Sequence, residues 1–98
     1  MISDTHIKIS LEALSDLVKG LEQEIEELLV KGDAYRWGNE EVEPDLQLAI
    51  EYYHEAAELG DWEAMVLLAD LLEELGRGDE AMQWRQRRDA AMGAEGMA

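Results

Sequence analysis

Glu51 and His54 are the residues whose spacing comes nearest to a known catalytic arrangement. Three positions apart on a predicted helix, they form the Glu-x-x-His pattern used by carboxylate-bridged di-iron sites in helix bundles. Such a site needs two of these patterns and two further glutamates, whereas the other histidine, His6, has no glutamate at this spacing. Cysteine is absent, so no thiolate ligand exists. We therefore expect neither a metal centre nor a cofactor.

Other catalytic arrangements are also missing from the sequence. No serine, threonine or lysine lies in a recognisable nucleophile motif, and there is no glycine-rich phosphate loop. Residues 76–78, Gly-Arg-Gly, are too short for such a loop and follow a predicted helix rather than a strand, so they are interpreted as a turn. The carboxylates are numerous, but none belongs to a predicted apolar cleft. The sequence predicts that the protein is not an enzyme and has no catalytic residues.

Charge is a second strong signal. Twenty-four acidic residues against eight basic ones give a formal net charge of −16, with dense acidic runs at residues 22–27 and 39–43. This charge argues against binding to nucleic acids or anionic membranes, and it is compatible with a basic protein partner. Acidic surfaces also simply keep small proteins soluble. Near the C-terminus, Arg85, Arg87 and Arg88 are expected to interact favourably with the dipole at the C-terminal end of a helix. The alternative is that they form a small anion-binding patch.

Six aromatic residues can serve either as core or as anchors for a partner. Tyr35, Tyr52 and Trp84 fit core positions of paired helices. Trp37 and Trp62 lie at predicted helix ends, where burial is less assured. Together with neighbouring charged and aromatic residues they form the predicted partner-binding set, which comprises Arg36, Trp37, Glu40, Glu41, Tyr53 and Trp62.

The apolar spacing predicts helices throughout. Residues 1–9 are expected to be extended or frayed, and Ser10 is a good N-cap for a first helix. Its apolar stripe continues with Leu11, Leu14, Leu17 and Val18. A break or bend is expected at Gly20, after which a second helix runs to about Trp37 and ends at Gly38.

Three further helices follow. The third begins near Asp45 and ends at residues 59–60, the fourth begins at residues 61–62 and ends at Gly76, and the fifth begins near Asp79. Residues 1–92 are predicted to be one helical-repeat domain, and residues 93–98 a flexible tail. The chain has neither a signal-peptide pattern nor an apolar run of about 18 residues, so a cytoplasmic location without membrane insertion is expected.

Residues 49–60 carry a family resemblance. Small residues at 49, 56 and 57 accompany paired aromatics at 52 and 53, and Gly32, Tyr35 and Gly38 precede them in the chain. This pattern resembles a Sel1-like repeat, a variant of the tetratricopeptide repeat, over residues 25–91. The loop departs from the family by carrying glutamate where a second glycine is preferred, and Arg85 stands where a tyrosine is expected. The resemblance implies an all-α fold of about two antiparallel helix hairpins in a right-handed superhelix.

The resemblance also implies a function. Such repeats bind other proteins, so we expect an adaptor or scaffold module of bacterial type that binds a basic or amphipathic segment of a partner. An acidic inhibitor or immunity-type protein that blocks a basic active site or nucleic-acid groove is the alternative. Two repeats are fewer than such arrays usually need, so an exposed face must be covered. The segment 11–18 is expected to cover one end. The fifth helix itself, a second copy of the chain in a homodimer, or a partner could cover the other.

Overall fold

The computed structural model describes residues 4–96, and side chains from residue 11 to residue 93. Its four helices are α1 (Asp4–Trp37), α2 (Leu46–Glu58), α3 (Trp62–Glu74) and α4 (Gly78–Gly96). No strand occurs within this part of the chain. Each helix packs mainly against the next one in sequence, which makes a row of antiparallel hairpins. The predicted all-α hairpin fold is confirmed, with four helices rather than five.

The helix boundaries after residue 37 follow from local chemistry. Asp45 caps α2 by accepting a hydrogen bond from the N–H of Leu48, and Asp61 caps α3 in the same way at Ala64. The glycines that follow α1, α2 and α3 are at positions 38, 60 and 76, and all have a positive φ. Glycine adopts this left-handed conformation without steric cost, so it ends each helix where the sequence predicted.

The core lies between α2, α3 and α4, and the C-terminal third of α1 packs on α2. Small residues bring α2 and α3 close together, since Ala56, Ala57, Ala64 and Ala69 have no exposed surface. The largest fully buried side chains are Tyr53, Leu68, Leu71 and Leu72. Burial of these apolar groups is the main force that holds the hairpins together.

Helix α1 corrects two predictions about the N-terminal segment. It begins at Asp4 instead of Ser10, and it continues through Gly20 without a break. An internal glycine costs only about 1 kcal/mol relative to alanine, and good helix formers on both sides can supply that. Residues 1–3, part of the segment predicted to be extended, lie outside the described residues.

The N-terminal part of α1 extends beyond the rest of the molecule. Every residue from 11 to 24 is exposed, so this segment does not cover the repeat as we expected. The radius of gyration is 17.3 Å, whereas a compact chain of this length has a value of about 13 Å. We call residues 4–24 the α1 overhang.

The C-terminal end also differs from expectation. Helix α4 continues to Gly96, so residues 93–96 belong to a helix where a flexible tail was predicted from residue 93. Residues 97–98 lie outside the described part. Among the described residues, no helix has the length and hydropathy that crossing a membrane requires.

Candidate partner-binding surface

The predicted contact residues do not form one site. Trp37 is the last residue of α1, and the salt bridge between Arg36 and Glu74 places it beside the end of α3. Trp62 is the first residue of α3, so it lies at the opposite end of that helix. Thirteen helical residues span about 20 Å, which is the approximate separation of the two indoles along the hairpin axis.

Trp37 is the most exposed large apolar side chain among those described, with 69% of its surface accessible. The Arg36 guanidinium lies over its ring, 4.8 Å from the centroid. Arg36 donates to a Glu74 carboxylate oxygen at 2.8 Å, and its own side chain is only 9% exposed. Arg36 therefore supports one face of the indole through a cation–π contact and leaves the other face accessible.

The loop after Trp37 carries acidic side chains on a backbone that is held by several hydrogen bonds. The Asn39 side-chain oxygen accepts from the N–H groups of Glu41 and Val42, at 2.7 and 2.8 Å. Asp45 N–H donates to the carbonyl of Tyr35 at 2.7 Å, which ties the end of the loop back to α1. Glu40 and Glu41 are exposed. We call residues 37–45 the Trp37 end, an exposed indole with a carboxylate rim.

Tyr53 is not part of this surface, which corrects its prediction as a contact residue. Its side chain has no exposed surface, and its ring packs against Gly32. Its hydroxyl donates to the Asp33 carboxylate. Burial raises the pKa of the Tyr53 phenol well above its usual value, and the hydrogen bond to Asp33 adds to the shift because it favours the neutral phenol.

Tyr52 takes the half-buried position beside it. Its ring stacks on Tyr35 with 5.7 Å between centroids and 12° between planes. Sequence spacing alone does not separate the two tyrosines. Tyr53 lies three and four residues from the buried Ile50 and Ala57, and Tyr52 lies three and four residues from the buried Ala49 and Ala56.

Trp62 keeps the exposure that was predicted for it. It is 52% exposed at the N-terminus of α3, next to the Asp61 cap. The acidic loop that accompanies Trp37 lies at the other end of the hairpins. Trp62 is therefore a matched reference for the Trp37 end rather than part of it.

The arginines near the C-terminus already face carboxylates, which does not favour the anion-binding alternative. Arg85 contacts Glu73 at 2.8 Å and Asp70 at 3.2 Å, and Arg87 contacts Glu58 at 3.0 Å. Hydrogen bonds from these arginines hold the pKa values of Glu73 and Glu58 below their usual range. The remaining pairs on this side are Arg77 with Glu80 and Arg88 with Asp89.

A shallow depression lies where the α1 overhang leaves the rest of the molecule, and the sequence did not predict it. Its volume is about 290 Å³. His54, from the Glu-x-x-His pattern, lies at its edge with its ring against that of Trp84, 5.3 Å between centroids. The lining residues are Glu24, Leu28, His54, Glu55, Glu58 and Leu59.

No protein-family model matches the chain, and comparisons with curated proteins and with solved structures find no match either. The resemblance to Sel1-like repeats therefore stays a prediction carried by residues 49–60.

Proposed function

We propose that the protein is a non-enzymatic adaptor module of the cytoplasm that binds a basic segment of a partner protein at the Trp37 end. The observation that carries this proposal is the pairing of a two-thirds exposed indole with an acidic loop whose backbone is hydrogen-bonded to Asn39. Aromatic side chains are enriched among residues that dominate binding energy. Surrounding carboxylates would speed association with a basic partner and set its orientation.

The geometry of Arg36 supports the proposal. A free tryptophan at a helix end loses side-chain entropy when a partner immobilises it, which reduces affinity. Here Arg36 is already fixed by Glu74 and covers one indole face, so part of that cost is met before binding. The open face can then receive an aliphatic side chain, while Glu40 and Glu41 pair with lysine or arginine.

The proposal is tested by selecting ligands from a phage-displayed library of random linear peptides. The immobilised full chain should enrich peptides rich in lysine and arginine. Affinities of the selected peptides are then measured by calorimetry against Trp37→Ala, the double variant Glu40→Lys/Glu41→Lys, and Trp62→Ala as the matched control.

The expected result separates the two tryptophans. Trp37→Ala and the charge reversal should each weaken binding at least roughly tenfold, as substitutions of anchor residues do, while Trp62→Ala should not change it. Equal losses from both tryptophan variants, or no enrichment of basic peptides, would refute the proposal.

The alternative of a polyanion-mimicking inhibitor rests on the net charge alone. It predicts that the protein displaces DNA from a basic DNA-binding domain, with an affinity that falls steeply as salt rises. It also predicts that Trp37→Ala has no effect, so the same variant distinguishes the two functions.

A further inference from the structure

Tyr53 and Asp33 form a polar pair at the junction of α1 and α2 that the function proposed above does not use. The Tyr53 ring packs against Gly32, and its hydroxyl donates to the Asp33 carboxylate. The Tyr53 side chain has no exposed surface, so a partner cannot reach this hydroxyl. A buried hydroxyl that is held in this way has fixed donor and acceptor directions, and it therefore helps to fix the polar groups around it.

Arg36 lies beside this hydroxyl. It follows Gly32 by four positions and Asp33 by three on α1, so the three residues are neighbours on the helix surface that meets α2. The electrostatics agree with this placement. Burial and Asp33 raise the pKa of Tyr53, and Arg36 offsets part of the rise because its positive charge favours the phenolate. The phenol donates its only proton to Asp33, which leaves its oxygen lone pairs to face the Arg36 guanidinium.

Helix α3 holds the other side of Arg36. The Arg36 Nη2 donates to a Glu74 carboxylate oxygen at 2.8 Å, and the arginine side chain is only 9% exposed. Its Nε has no hydrogen-bond partner among the described residues, so the polar contacts that hold the guanidinium are at its Nη end. The guanidinium carbon lies 4.8 Å from the centroid of the Trp37 ring. Groups from three helices therefore determine where the guanidinium lies, and the guanidinium lies against the indole.

We propose that Tyr53, Asp33 and Glu74 set the orientation of the Trp37 indole through Arg36. We call Asp33, Arg36, Tyr53 and Glu74 the Arg36 network. When the guanidinium loses one of these contacts, it is left as a mostly buried charge with fewer partners, and it turns towards water. The indole then loses the group that supports one of its faces and adopts other rotamers.

The network also has a consequence for binding, and this part rests on the function proposed above. Tyr53 and Glu74 become positioning residues for the partner, because an indole without support must be immobilised on binding. Its immobilisation should weaken affinity roughly two- to tenfold. Glu74 is 59% exposed and is accessible to a basic partner directly, whereas the fully buried Tyr53 can act only through its neighbours. Tyr53→Phe is therefore the decisive variant.

The first test uses the free protein and needs no partner. The signals to follow in ¹H–¹⁵N spectra are those of the Trp37 indole N–H and the Arg36 Nε–H, assigned with Trp37→Phe and Arg36→Lys. Tyr53→Phe and Glu74→Gln should each move the Trp37 signal. Both should also speed the exchange of the Arg36 Nε–H with water, which burial slows in the wild type. Circular dichroism checks that the variants keep their helices.

The chain offers a matched control for each variant. Tyr52→Phe removes the hydroxyl of the adjacent tyrosine, whose ring stacks on Tyr35. Glu73→Gln makes the same substitution one position earlier on α3, where the carboxylate contacts Arg85 at 2.8 Å. Neither control should move the Trp37 signal or change the exchange of the Arg36 Nε–H. Unmoved signals in Tyr53→Phe and Glu74→Gln, or equal changes in the controls, would overturn the proposed network.

The second test measures affinity for a basic peptide from the phage selection by calorimetry. Tyr53→Phe should weaken binding roughly two- to tenfold in the wild-type background. In the Trp37→Ala background it should have no further effect, because two residues that act through one contact are not additive. Unchanged affinity of Tyr53→Phe, or an equal loss in both backgrounds, would overturn the positioning role.

The two tests separate failure of this inference from failure of the proposed function. If the wild-type protein bound no basic peptide, the proposed function would be refuted, and the positioning role with it. The spectra of the free protein would still decide whether the network orients the indole. If the peptide bound at Trp37 but Tyr53→Phe left the Trp37 and Arg36 signals in place, the proposed function would stand and the network would be refuted.

Discussion

Gly32 is a position at which α1 packs closely on Tyr53 of α2, and its replacement tests the packing directly. A Cβ atom built there would lie 2.6 Å from Tyr53 Cδ1, whereas ordinary contacts are 3.4–4 Å. Tyr53 has no room to move, because it is fully buried and its hydroxyl is hydrogen-bonded to Asp33. In Gly32→Ala, α1 must therefore move away from α2.

The size of the effect follows from two opposing terms. Overpacking of a core costs about 1–3 kcal/mol, and alanine recovers up to about 1 kcal/mol of helix propensity. Because both the helix and the ring are constrained, we expect a net loss of roughly 1–2 kcal/mol in the free energy of unfolding, or about 4–16 °C in melting temperature. Urea and thermal unfolding followed by circular dichroism measure it.

Gly20→Ala is the matched control on the same helix. No atom lies within 4 Å of a Cβ at this position, so the substitution meets no steric obstacle. It should raise the native helix signal without lowering the unfolding midpoint. If Gly32→Ala proved as stable as the wild type, or if both substitutions destabilised equally, the packing of Tyr53 against Gly32 would be wrong.

Two further predictions concern polar contacts and are checked by urea unfolding. Tyr53→Phe removes the hydrogen bond to Asp33 and should cost about 0.5–1.5 kcal/mol at neutral pH. The pKa of Tyr53 is raised in the folded state, so its contribution to stability is complete below the unfolded-state pKa of about 10 and is lost as pH rises above that value. Above about pH 10, wild-type stability should therefore fall more steeply than that of Tyr53→Phe. Parallel pH curves for the two proteins would contradict this. Glu74→Gln takes the carboxylate from the mostly buried Arg36 and should cost about 1 kcal/mol, whereas an unchanged midpoint would show that water replaces Glu74.

Much of the fold could be predicted from residues whose effect is local. The caps at Asp45 and Asp61 and the glycine after each hairpin helix act within one turn, so the sequence places them correctly. Gly20 could not be assigned in this way. Its helix penalty is small, and the outcome depends on the summed propensity of residues on both sides.

The candidate site was predicted only in part, for reasons of geometry. Tyr52 and Tyr53 are adjacent on one helix, about 100° apart, and choosing the buried one requires knowing where Gly32 of α1 lies. Trp37 and Trp62 were grouped because both lie at helix ends. Because successive helices are antiparallel, the end of α1 and the start of α3 lie at opposite ends of the hairpins. The order of the helices alone could have indicated this.

The exposed apolar stripe of the α1 overhang shows a different limit. The spacing of Leu11, Leu14 and Val18 predicted an apolar helix face that we expected to cover one end of the repeat, whereas the structure leaves this face exposed. Sequence periodicity identifies such a face but contains no information about which surface covers it.

The most direct test of the proposed function is the response of the three tryptophan indoles to a basic peptide from the phage selection. The chain has three tryptophans, so the ¹H–¹⁵N spectrum should contain three indole N–H signals, which Trp37→Phe and Trp62→Phe assign. Binding at the Trp37 end predicts that the Trp37 signal shifts on titration while those of Trp62 and the buried Trp84 stay in place. A shift confined to Trp62, or a saturable binding that moves no indole signal, would contradict the assignment of the Trp37 end as the partner-binding surface.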